Sequence, residues 1–298
     1  MDGGGALNGS RRANMAVVLF PGQGSETTNM RERVERYCPE LLVAAIELIG
    51  EDPFTRVRDG TAFAQPAIFC ASIAGWRAAA GLADPIVVIG HSLGEFGALV
   101  AAGSLDVFDA LKLVVLRGRL MQDAGGAGSG GMAAVSGRNL VDVPALARRC
   151  GLVLANDNAP HEVVLSGPEE NLQTLLKTAA AEGVRAVRLP VAGAFHSPLM
   201  ECVVEEFRAA LASVEIRPPD LLAFCSTAAA PFADIREDLA AGITRPVLWR
   251  QSMEKLCRSG FMRFLEVGPG RVLSRLAAGT YGGHVQTAAI DDHALAAW

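Results

Sequence analysis

The sequence predicts an α/β fold in which one domain of buried strands and helices is interrupted by a smaller inserted unit. Continuous apolar runs at residues 16–20 and 85–89 each end at proline or glycine. Such runs are typical of strands buried on both faces of a parallel sheet. A glycine-rich stretch at residues 125–131 predicts a hinge, and beyond it the segments follow the order βαββαβ. After Pro190 the first pattern returns, which indicates an interrupted domain.

The inserted unit has predicted strands at residues 132–136, 152–155, 162–166 and 184–189 and predicted helices at 143–150 and 168–182. This order is that of a ferredoxin-like unit of roughly 60 residues, close to the smallest size that folds alone. We therefore divide the chain into a disordered leader, a catalytic domain in two parts and an insertion. Their ranges are 1–14, 15–127 with 193–298, and 128–192.

In the rest of the large domain the hydrophobic pattern that predicts helices and strands is weaker. Predicted helices occupy residues 95–102, 109–123, 198–211 and 250–259, and predicted strands occupy 221–225 and 261–267. Between the first two strands, helical patterns are broken at residues 50–53. Residues near His284 and His293 are interpreted as a frayed tail.

Charge and composition narrow the classes of function. The 298 residues carry a formal net charge of -5, which gives no electrostatic basis for binding nucleic acid or anionic lipid. We find no apolar run long enough to span a bilayer and no signal-peptide core in the first 14 residues, and Met15 is an alternative start.

The six cysteines form no C-x-x-C pair, so we interpret them as buried, reduced thiols of a cytoplasmic protein: Cys38, Cys70, Cys150, Cys202, Cys225 and Cys257.

The strongest motif is G-x-S-x-G at residues 90–94, directly after a predicted strand and directly before a predicted helix. This context is that of a nucleophile elbow, in which glycines permit a strained turn that exposes the serine. Amides at the start of the following helix can then face the developing negative charge. The alternative is a glycine-rich turn with an idle serine, but the context favours Ser92 as a nucleophile.

A serine nucleophile needs a base. Four of the five histidines are poorly placed: His284 and His293 in the tail, His161 in a turn of the insertion, and His91 beside Ser92 in sequence. His196 remains, where the chain re-enters the large domain, although a surface or helix-capping role is equally compatible with its position. No Asp or Glu stands out as a third member, and a backbone carbonyl can orient the imidazole instead.

Two further features bear on the site. The loop at residues 22–25 has the glycines of a segment that approaches a substrate closely, but an ordinary turn explains it equally well, and without G-x-G-x-x-G it does not indicate a dinucleotide site. Arg117 lies in a mostly apolar helix, where its guanidinium could bind a carboxylate through two parallel hydrogen bonds. The alternatives are an arginine that reaches solvent or an ion pair with Asp106, Asp109 or Asp123.

Together the motifs resemble malonyl-CoA:acyl carrier protein transacylases and the acyltransferase domains of polyketide synthases, including stand-alone acyltransferases that act in trans. The resemblance runs from about residue 17 to 277. In order, the motifs are PGQGS at 21–25, QPA at 65–67, GHSLGE at 90–95, Arg117-Gly118, Met121-Gln122, Ala155-Asn156, Ser166-Gly167, Phe195-His196-Ser197, Pro246-Val247, Trp249 and EVGPG at 266–270. The family's fold, an α/β-hydrolase-like domain with a ferredoxin-like insertion, is therefore expected here.

The resemblance also implies a mechanism. Ser92 would receive malonyl from coenzyme A and pass it, in a ping-pong reaction, to the phosphopantetheine thiol of an acyl carrier protein. His196 would move the proton, the amides of Gln23 and Leu93 would form the oxyanion hole, and Arg117 would clamp the malonyl carboxylate. No metal or redox cofactor is implied, and we expect a monomer.

Further residues take roles from the resemblance alone. Gln65 would lie near the thioester, Asn156 would line the crevice between the two domains, and the Gly242 carbonyl would orient the catalytic histidine. Phe195 would fill the space that an α-methyl group needs, so malonyl should be favoured over methylmalonyl by a finite factor. Gly193, where the malonyl pattern often has a histidine, could enlarge this pocket.

Rival functions remain open from sequence alone. An acyl hydrolase of the same fold would clear acyl groups from carrier proteins with the same serine and histidine, but it would have no use for Arg117 as a clamp. Transfer from a different acyl-CoA or acyl-carrier donor is also possible, whereas a non-catalytic adaptor would not need Ser92 and His196 together. A basic patch of Arg245, Arg250 and Arg271 is expected to meet an acidic carrier, with ordinary solvated surface as the alternative.

Overall fold

The computed structural model describes residues 15–82, 84–126, 130–137 and 143–291. The strands are β1 Ala16–Phe20, β2 Pro85–Gly90, β3 Gly131–Ser136, β4 Val153–Ala159, β5 Glu162–Gly167, β6 Arg185–Arg188, β7 Leu222–Cys225, β8 Ala230–Pro231, β9 Arg263–Glu266 and β10 Gln286–Ala289. The helices are α1 Met30–Tyr37, α2 Pro39–Ile49, α3 Thr61–Ala78, α4 Gly94–Ala101, α5 Val107–Ala124, α6 Val143–Cys150, α7 Glu169–Ala181, α8 Val204–Ala212, α9 Ile235–Ala241, α10 Trp249–Arg258 and α11 Val272–Tyr281. Short 3₁₀ helices span Pro198–Val203 and Gly282–His284.

The larger sheet has six strands in the order β10-β9-β1-β2-β7-β8. Its first five strands are parallel, and only the two-residue β8 runs antiparallel to its neighbour. Because parallel strands need crossover connections, helices cover both faces of the sheet. The carboxyl ends of β1, β2 and β7 therefore meet at one edge, which is where ligands bind in folds of this kind.

Alternate side chains of the central strands pack into two separate cores. Val18 and Phe20 face one core with helices α1 to α5 and α8. Val17 and Leu19 face the other core with α10 and α11. All four side chains are fully buried. This explains why β1 is a continuous apolar run rather than an alternating one, and it confirms the prediction of a strand buried on both faces.

The smaller sheet has four antiparallel strands in the order β4-β5-β3-β6. Residues of β3 and β5 pack against α6 and α7 in a core of their own. The opposite face contributes Met132, Ala155 and Val164 to the main core of the large domain. The insertion therefore has its own core but is also seated on the large domain.

One strand edge joins the two sheets. Val247, just before α10, forms a parallel bridge with Asn156 of β4. Its amide donates to the Ala155 carbonyl, and its carbonyl accepts from the Asp157 amide, both at 2.8 Å. The Asp157 carboxylate also accepts two bonds from Arg250, at 2.9 and 2.8 Å. These contacts fix one edge of the insertion against the segment that precedes α10.

The predicted elements are largely confirmed, but the last third of the chain holds elements that sequence reasoning missed. These are β8, α9, α11 and β10. The prediction of a frayed tail at His284 was wrong, because β10 follows it and pairs with β9 in the main sheet. The leader, His293 and the boundary at 127/128 lie outside the described residues. Within the described ranges, no helix is both long and apolar enough to cross a membrane.

The cysteine prediction holds for most of the thiols. All six are free, and Cys38, Cys70, Cys150 and Cys225 are buried. Cys257 is only partly buried, and Cys202 is exposed. Cys202 lies in the 3₁₀ helix before α8, which buries Met200 and Val203 in the main core and leaves Cys202 on its exposed side, so burial was the wrong expectation there.

Candidate active site

The strand β2 ends in a sharp turn that leads directly into α4, and Ser92 lies at the apex of this turn. Ser92 has φ +52°, a left-handed conformation that non-glycine residues seldom adopt. The His91 amide donates to the Phe20 carbonyl, while the Gly94 and Glu95 amides donate to the carbonyls of His91 and Ser92. The surrounding hydrogen bonds thus hold the serine in the strained geometry of a nucleophile elbow.

Both glycines of G-x-S-x-G are required by close backbone contacts. A Cβ added at Gly94 would lie 1.9 Å from the Phe20 carbonyl oxygen, and one added at Gly90 would lie 2.0 Å from the Glu95 amide nitrogen. The turn can pack this tightly against β1 only because these positions lack a side chain.

His196 faces Ser92 across the carboxyl edge of the sheet. Its Nε2 lies 2.8 Å from Ser92 Oγ, and its Nδ1 lies 2.9 Å from the Arg245 carbonyl oxygen. A carbonyl can only accept, so Nδ1 carries the proton and Nε2 is free to accept from the Ser92 hydroxyl. This is the arrangement of a serine nucleophile with an oriented base, in which a main-chain carbonyl takes the place of a carboxylate.

The carbonyl predicted to orient His196 was assigned to the wrong residue. Gly242 ends α9, and the carbonyl that accepts the Nδ1 bond at 2.9 Å belongs to Arg245, three residues later. Both carbonyls raise the pKa of His196, and the Gly242 carbonyl raises it less than the Arg245 carbonyl does. A main-chain acceptor has no side-chain signature, so no signal in the sequence distinguishes the two positions.

Burial and the neighbouring cation both keep the His196 imidazole neutral. Its side chain is 5% exposed. Desolvation first, and then the charge of Arg117, lower its pKa from 6.5 to about 3. At neutral pH His196 is therefore ready to accept a proton.

Arg117 lies in the middle of α5 and points at the nucleophile. Its Nη2 donates to Ser92 Oγ at 3.0 Å, and its Nη1 donates to Gln65 Oε1 at 2.8 Å. The residue is 4% exposed, and burial lowers its pKa to about 10, so it stays charged at neutral pH. In the described parts of the chain no carboxylate forms an ion pair with it, including the three aspartates considered from sequence. The buried Glu95 carboxyl interacts with Arg117 through its charge but forms no ion pair or hydrogen bond with it. A buried guanidinium beside a nucleophile, with no carboxylate bound directly to it, is well placed to bind an anionic group.

Gln65 connects this guanidinium to the loop after β1. Its Nε2 donates to Gln23 Oε1 at 3.2 Å, and the Gln23 side chain in turn donates to the Thr61 hydroxyl at 3.3 Å. Gln65 is fully buried in α3. Gln65 therefore lies beside Arg117 and Gln23, and its predicted place near the thioester stays a prediction.

The two main-chain amides predicted to form the oxyanion hole are those of Gln23 and Leu93. The Leu93 amide lies at the start of α4, and the Gln23 amide lies in the loop after β1. Within the described residues, neither amide donates to a protein carbonyl. Amides of this kind are available to a developing oxyanion.

The remaining predicted residues surround the site at greater distance. Phe195 is buried in the main core directly before His196. Asn156 lies at the seam between the two sheets, as expected, with its Oδ1 buried and unpaired. A Cβ added at Gly193 would lie 2.7 Å from Gly125 Cα and 3.2 Å from the Phe195 ring, so this glycine serves close packing rather than an open space.

The expected basic patch is only partly present. Arg250 is bound to Asp157 and lies near Glu254, so it is not available as predicted. Arg245 and Arg271 are exposed. Among the described residues, no group of three or more His, Cys, Asp and Glu side chains is arranged to hold a metal ion.

The family model for the acyl transferase domain matches residues 40–290. The chain belongs to this family. Ser92 and His196, with the 2.8 Å contact between them, both lie within the matched range.

Curated relatives agree with this assignment. The acyltransferase is 34% identical over 302 residues to the malonyl CoA-acyl carrier protein transacylase of Haemophilus influenzae, an alignment that covers 93% of this chain and 95% of the relative. It is also 34% identical over 283 residues to the polyketide biosynthesis protein ThaF of Burkholderia thailandensis, covering 90% of this chain. The chain spans about a quarter (24%) of the length of ThaF.

A solved structure confirms the architecture. The acyltransferase superposes on FabD from Acinetobacter baumannii with a TM-score of 0.86 at 32% sequence identity. The superposition covers 95% of this chain and 96% of that protein. The mixed α/β fold is therefore shared across nearly the whole length of both chains.

Proposed function

We propose that this acyltransferase moves malonyl from coenzyme A to the phosphopantetheine thiol of an acyl carrier protein, in fatty acid or polyketide biosynthesis. The observation that carries the proposal is the position of Arg117, a buried guanidinium 3.0 Å from Ser92 Oγ with no carboxylate at ion-pair distance in the described structure. The buried Glu95 carboxyl acts on it only through its charge at longer range. An acyl group on Ser92 that ends in a carboxylate would supply the missing partner. The names of the similar transacylases support the same substrate and the same carrier.

The reaction proceeds through a Ser92 acyl-enzyme. Ser92 Oγ attacks the thioester carbonyl while its proton moves to His196 Nε2, 2.8 Å away. The amides of Gln23 and Leu93 hold the oxyanion of the tetrahedral intermediate. The intermediate collapses as the C–S bond breaks, and His196 returns the proton to the departing coenzyme A thiolate. The carrier thiol then attacks the ester and repeats the sequence in reverse.

Side chains around the nucleophile select the acyl group. Arg117 binds the free carboxylate, and Gln65 holds the guanidinium in place through the 2.8 Å bond to Nη1. Phe195 occupies the space next to the base, where an α-methyl group on the substrate would collide with its ring. One methyl group is worth about 1–3 kcal/mol in such a pocket, so methylmalonyl is disfavoured rather than excluded. Asn156 lines the crevice at the seam through which the acyl group enters.

We assign the large domain to the α/β-hydrolase-like class and the insertion to the ferredoxin-like class. The parallel sheet with an elbow after β2 supports the first assignment. The antiparallel order β4-β5-β3-β6 in a βαββαβ unit supports the second. The proposed ranges are 15–127 with 193–298 for the catalytic domain and 128–192 for the insertion.

The biochemical setting follows from the substrates. Reduced thiols and a coenzyme A donor are compatible with a cytoplasmic enzyme that works as a monomer. The chemistry needs a nucleophile, a base, oxyanion donors and a carboxylate clamp, so we propose that no metal or redox cofactor takes part. The exposed Arg245 is a candidate for contact with an acidic carrier.

Intact-protein mass spectrometry with malonyl-CoA, methylmalonyl-CoA and acetyl-CoA tests the proposal. Wild type should gain a malonyl adduct that Ser92→Ala lacks, and the adduct should pass to an added holo carrier protein. Release of free coenzyme A without an adduct or carrier acylation would favour an acyl hydrolase. If no donor gives an adduct or releases coenzyme A, the proposed donor is wrong.

A further inference from the structure

His91, the residue before the nucleophile, points away from Ser92 into the seam between the two sheets. Its Nε2 lies 3.0 Å from Oδ1 of Asn158, a residue of β4 in the insertion. The Asn158 amide nitrogen in turn donates to Glu162 Oε1 at 3.0 Å. This bond fixes the orientation of the Asn158 amide, so Oδ1 faces the imidazole and His91 Nε2 must carry the proton.

Three further contacts immobilise the same histidine. Its ring lies 5.4 Å from the ring of Trp249, which is 1% exposed at the start of α10. Its carbonyl oxygen lies so near Gly22 that a Cβ there would approach it to 2.6 Å. Its amide donates to Phe20 at the end of β1. His91 thereby touches β1, the loop that carries the oxyanion amide, α10 and the insertion.

The geometry of β4 is adapted to this contact. The pairing of β4 with β5 is irregular between Asp157 and Ala159, the interval that contains Asn158. Such irregularities re-aim a side chain and are frequent beside active sites. The neighbouring Asp157 binds Arg250 of the large domain, a second contact across the seam that does not involve Asn158 or His91.

We propose that Asn158 is a positioning residue for the nucleophile, acting through His91. Ser92 has φ +52°, a conformation that persists only when its surroundings over-determine it. The amide and carbonyl of His91 are fixed by local bonds, and its side chain is fixed by the insertion. Loss of the Asn158 contact frees the ring, lets the elbow relax and moves Ser92 Oγ out of line with His196 and the oxyanion amides. The insertion is then a working part of the catalytic centre and not only a wall of the substrate crevice.

The inference rests on the proposed Ser92 nucleophile but not on the identity of the acyl group. A fluorophosphonate probe tests it without using the carboxylate clamp. Ser92 Oγ forms a bond to phosphorus, the P–F bond breaks, fluoride leaves and the hydroxyl proton passes to His196. The first-order labelling rate at saturating probe reports the alignment of the nucleophile, and the half-saturating probe concentration reports binding.

Asn158→Ala should lower the labelling rate about 10-fold and leave half-saturation unchanged, since small misplacements of reacting groups have effects of this size. Asn158→Asp combined with Glu162→Gln keeps an oxygen acceptor for His91 and avoids two facing carboxylates at the 3.0 Å contact between residues 158 and 162, so it should restore the rate to within about 3-fold of wild type. Arg250→Gln is the matched control, because it weakens the other contact across the seam and leaves His91 in place. It should lower the melting temperature as much as Asn158→Ala while labelling at the wild-type rate.

Three results would overturn the inference: wild-type labelling of a folded Asn158→Ala, equal losses in Asn158→Ala and in the Asn158→Asp/Glu162→Gln pair, or an equal loss in Arg250→Gln. Failure of the proposed function looks different. In that case wild type itself would not be labelled at Ser92, or it would be labelled at Ser92 but take no malonyl from malonyl-CoA.

Discussion

Ser92 and His196 share an unusual backbone conformation, with φ +52° and +55°, but different parts of the molecule hold them. Ser92 lies in a turn that its own neighbours form: two glycines allow the turn, and bonds within residues 91–95 close it. Distant contacts of His91 with Phe20 and Asn158 then hold this turn in place. His196 has no comparable local motif. Its imidazole is oriented by a carbonyl 49 residues further along the chain. The turn that carries the nucleophile is thus encoded by local sequence, whereas the orientation of the base depends entirely on tertiary packing.

This difference has a consequence for substitutions. Changes within the elbow should damage the backbone itself, because its atoms are packed to contact distance. Substitutions at His196 and its neighbours should leave the fold intact and should instead change the protonation and orientation of the imidazole. The following predictions separate the two kinds of effect, from the largest to the smallest.

Ser92→Ala and His196→Ala should each lower the acylation rate by at least about 10³-fold, because nucleophile and base act as one unit. The double variant should be no slower than the worse single variant. Rapid-quench measurement of adduct formation from malonyl-CoA checks this, with His161→Ala as the control in a turn of the insertion. A double variant whose loss equals the product of the two single losses would show that the residues act independently.

Gly94→Ala should lower the free energy of unfolding by about 3 kcal/mol, because its Cβ would lie 1.9 Å from the Phe20 carbonyl oxygen. Gly283→Ala is the matched control, since a Cβ there meets nothing within 4 Å. Urea denaturation followed by circular dichroism measures both. If the two variants were equally stable, the elbow would not be rigidly packed against β1.

Arg117→Ala should lower malonyl transfer about 30-fold and affect acetyl transfer much less, because only malonyl has a carboxylate for the guanidinium. Arg119→Ala, an exposed arginine on the same helix, should change neither. Steady-state kcat/KM for the two donors gives the ratio. Equal losses for malonyl and acetyl would assign Arg117 to Ser92 alignment rather than to the carboxylate.

His196 should make stability depend on pH in a definite direction. Its pKa falls from 6.5 to about 3 on folding, so between these values the unfolded chain binds a proton that the folded chain does not. The free energy of unfolding therefore decreases as the pH is lowered from 6.5 towards 3. His196→Gln should show a shallower decrease over that window in urea titrations at several pH values. Identical slopes for the variant and wild type would mean that the folded imidazole is protonated more easily than its burial implies.

The sequence alone determined the parts of this protein that depend on local geometry. The apolar runs of β1 and β2, the elbow at residues 90–94 and the βαββαβ order of the insertion were all predicted, because each is encoded by neighbouring residues. The ordered motifs also identified the family and pointed to Arg117 and Gln65. The sequence showed that His196 was the best-placed histidine, but not that it reaches the nucleophile.

Only the tertiary structure decided how distant segments meet. It brought His196 to Ser92, assigned the orienting carbonyl to Arg245 instead of Gly242, and paired Arg250 with Asp157. It also placed β10 in the main sheet, where a frayed tail was expected. Main-chain acceptors, edge pairings and ion pairs across a seam depend on which surfaces fold together, and no pattern of neighbouring residues records that.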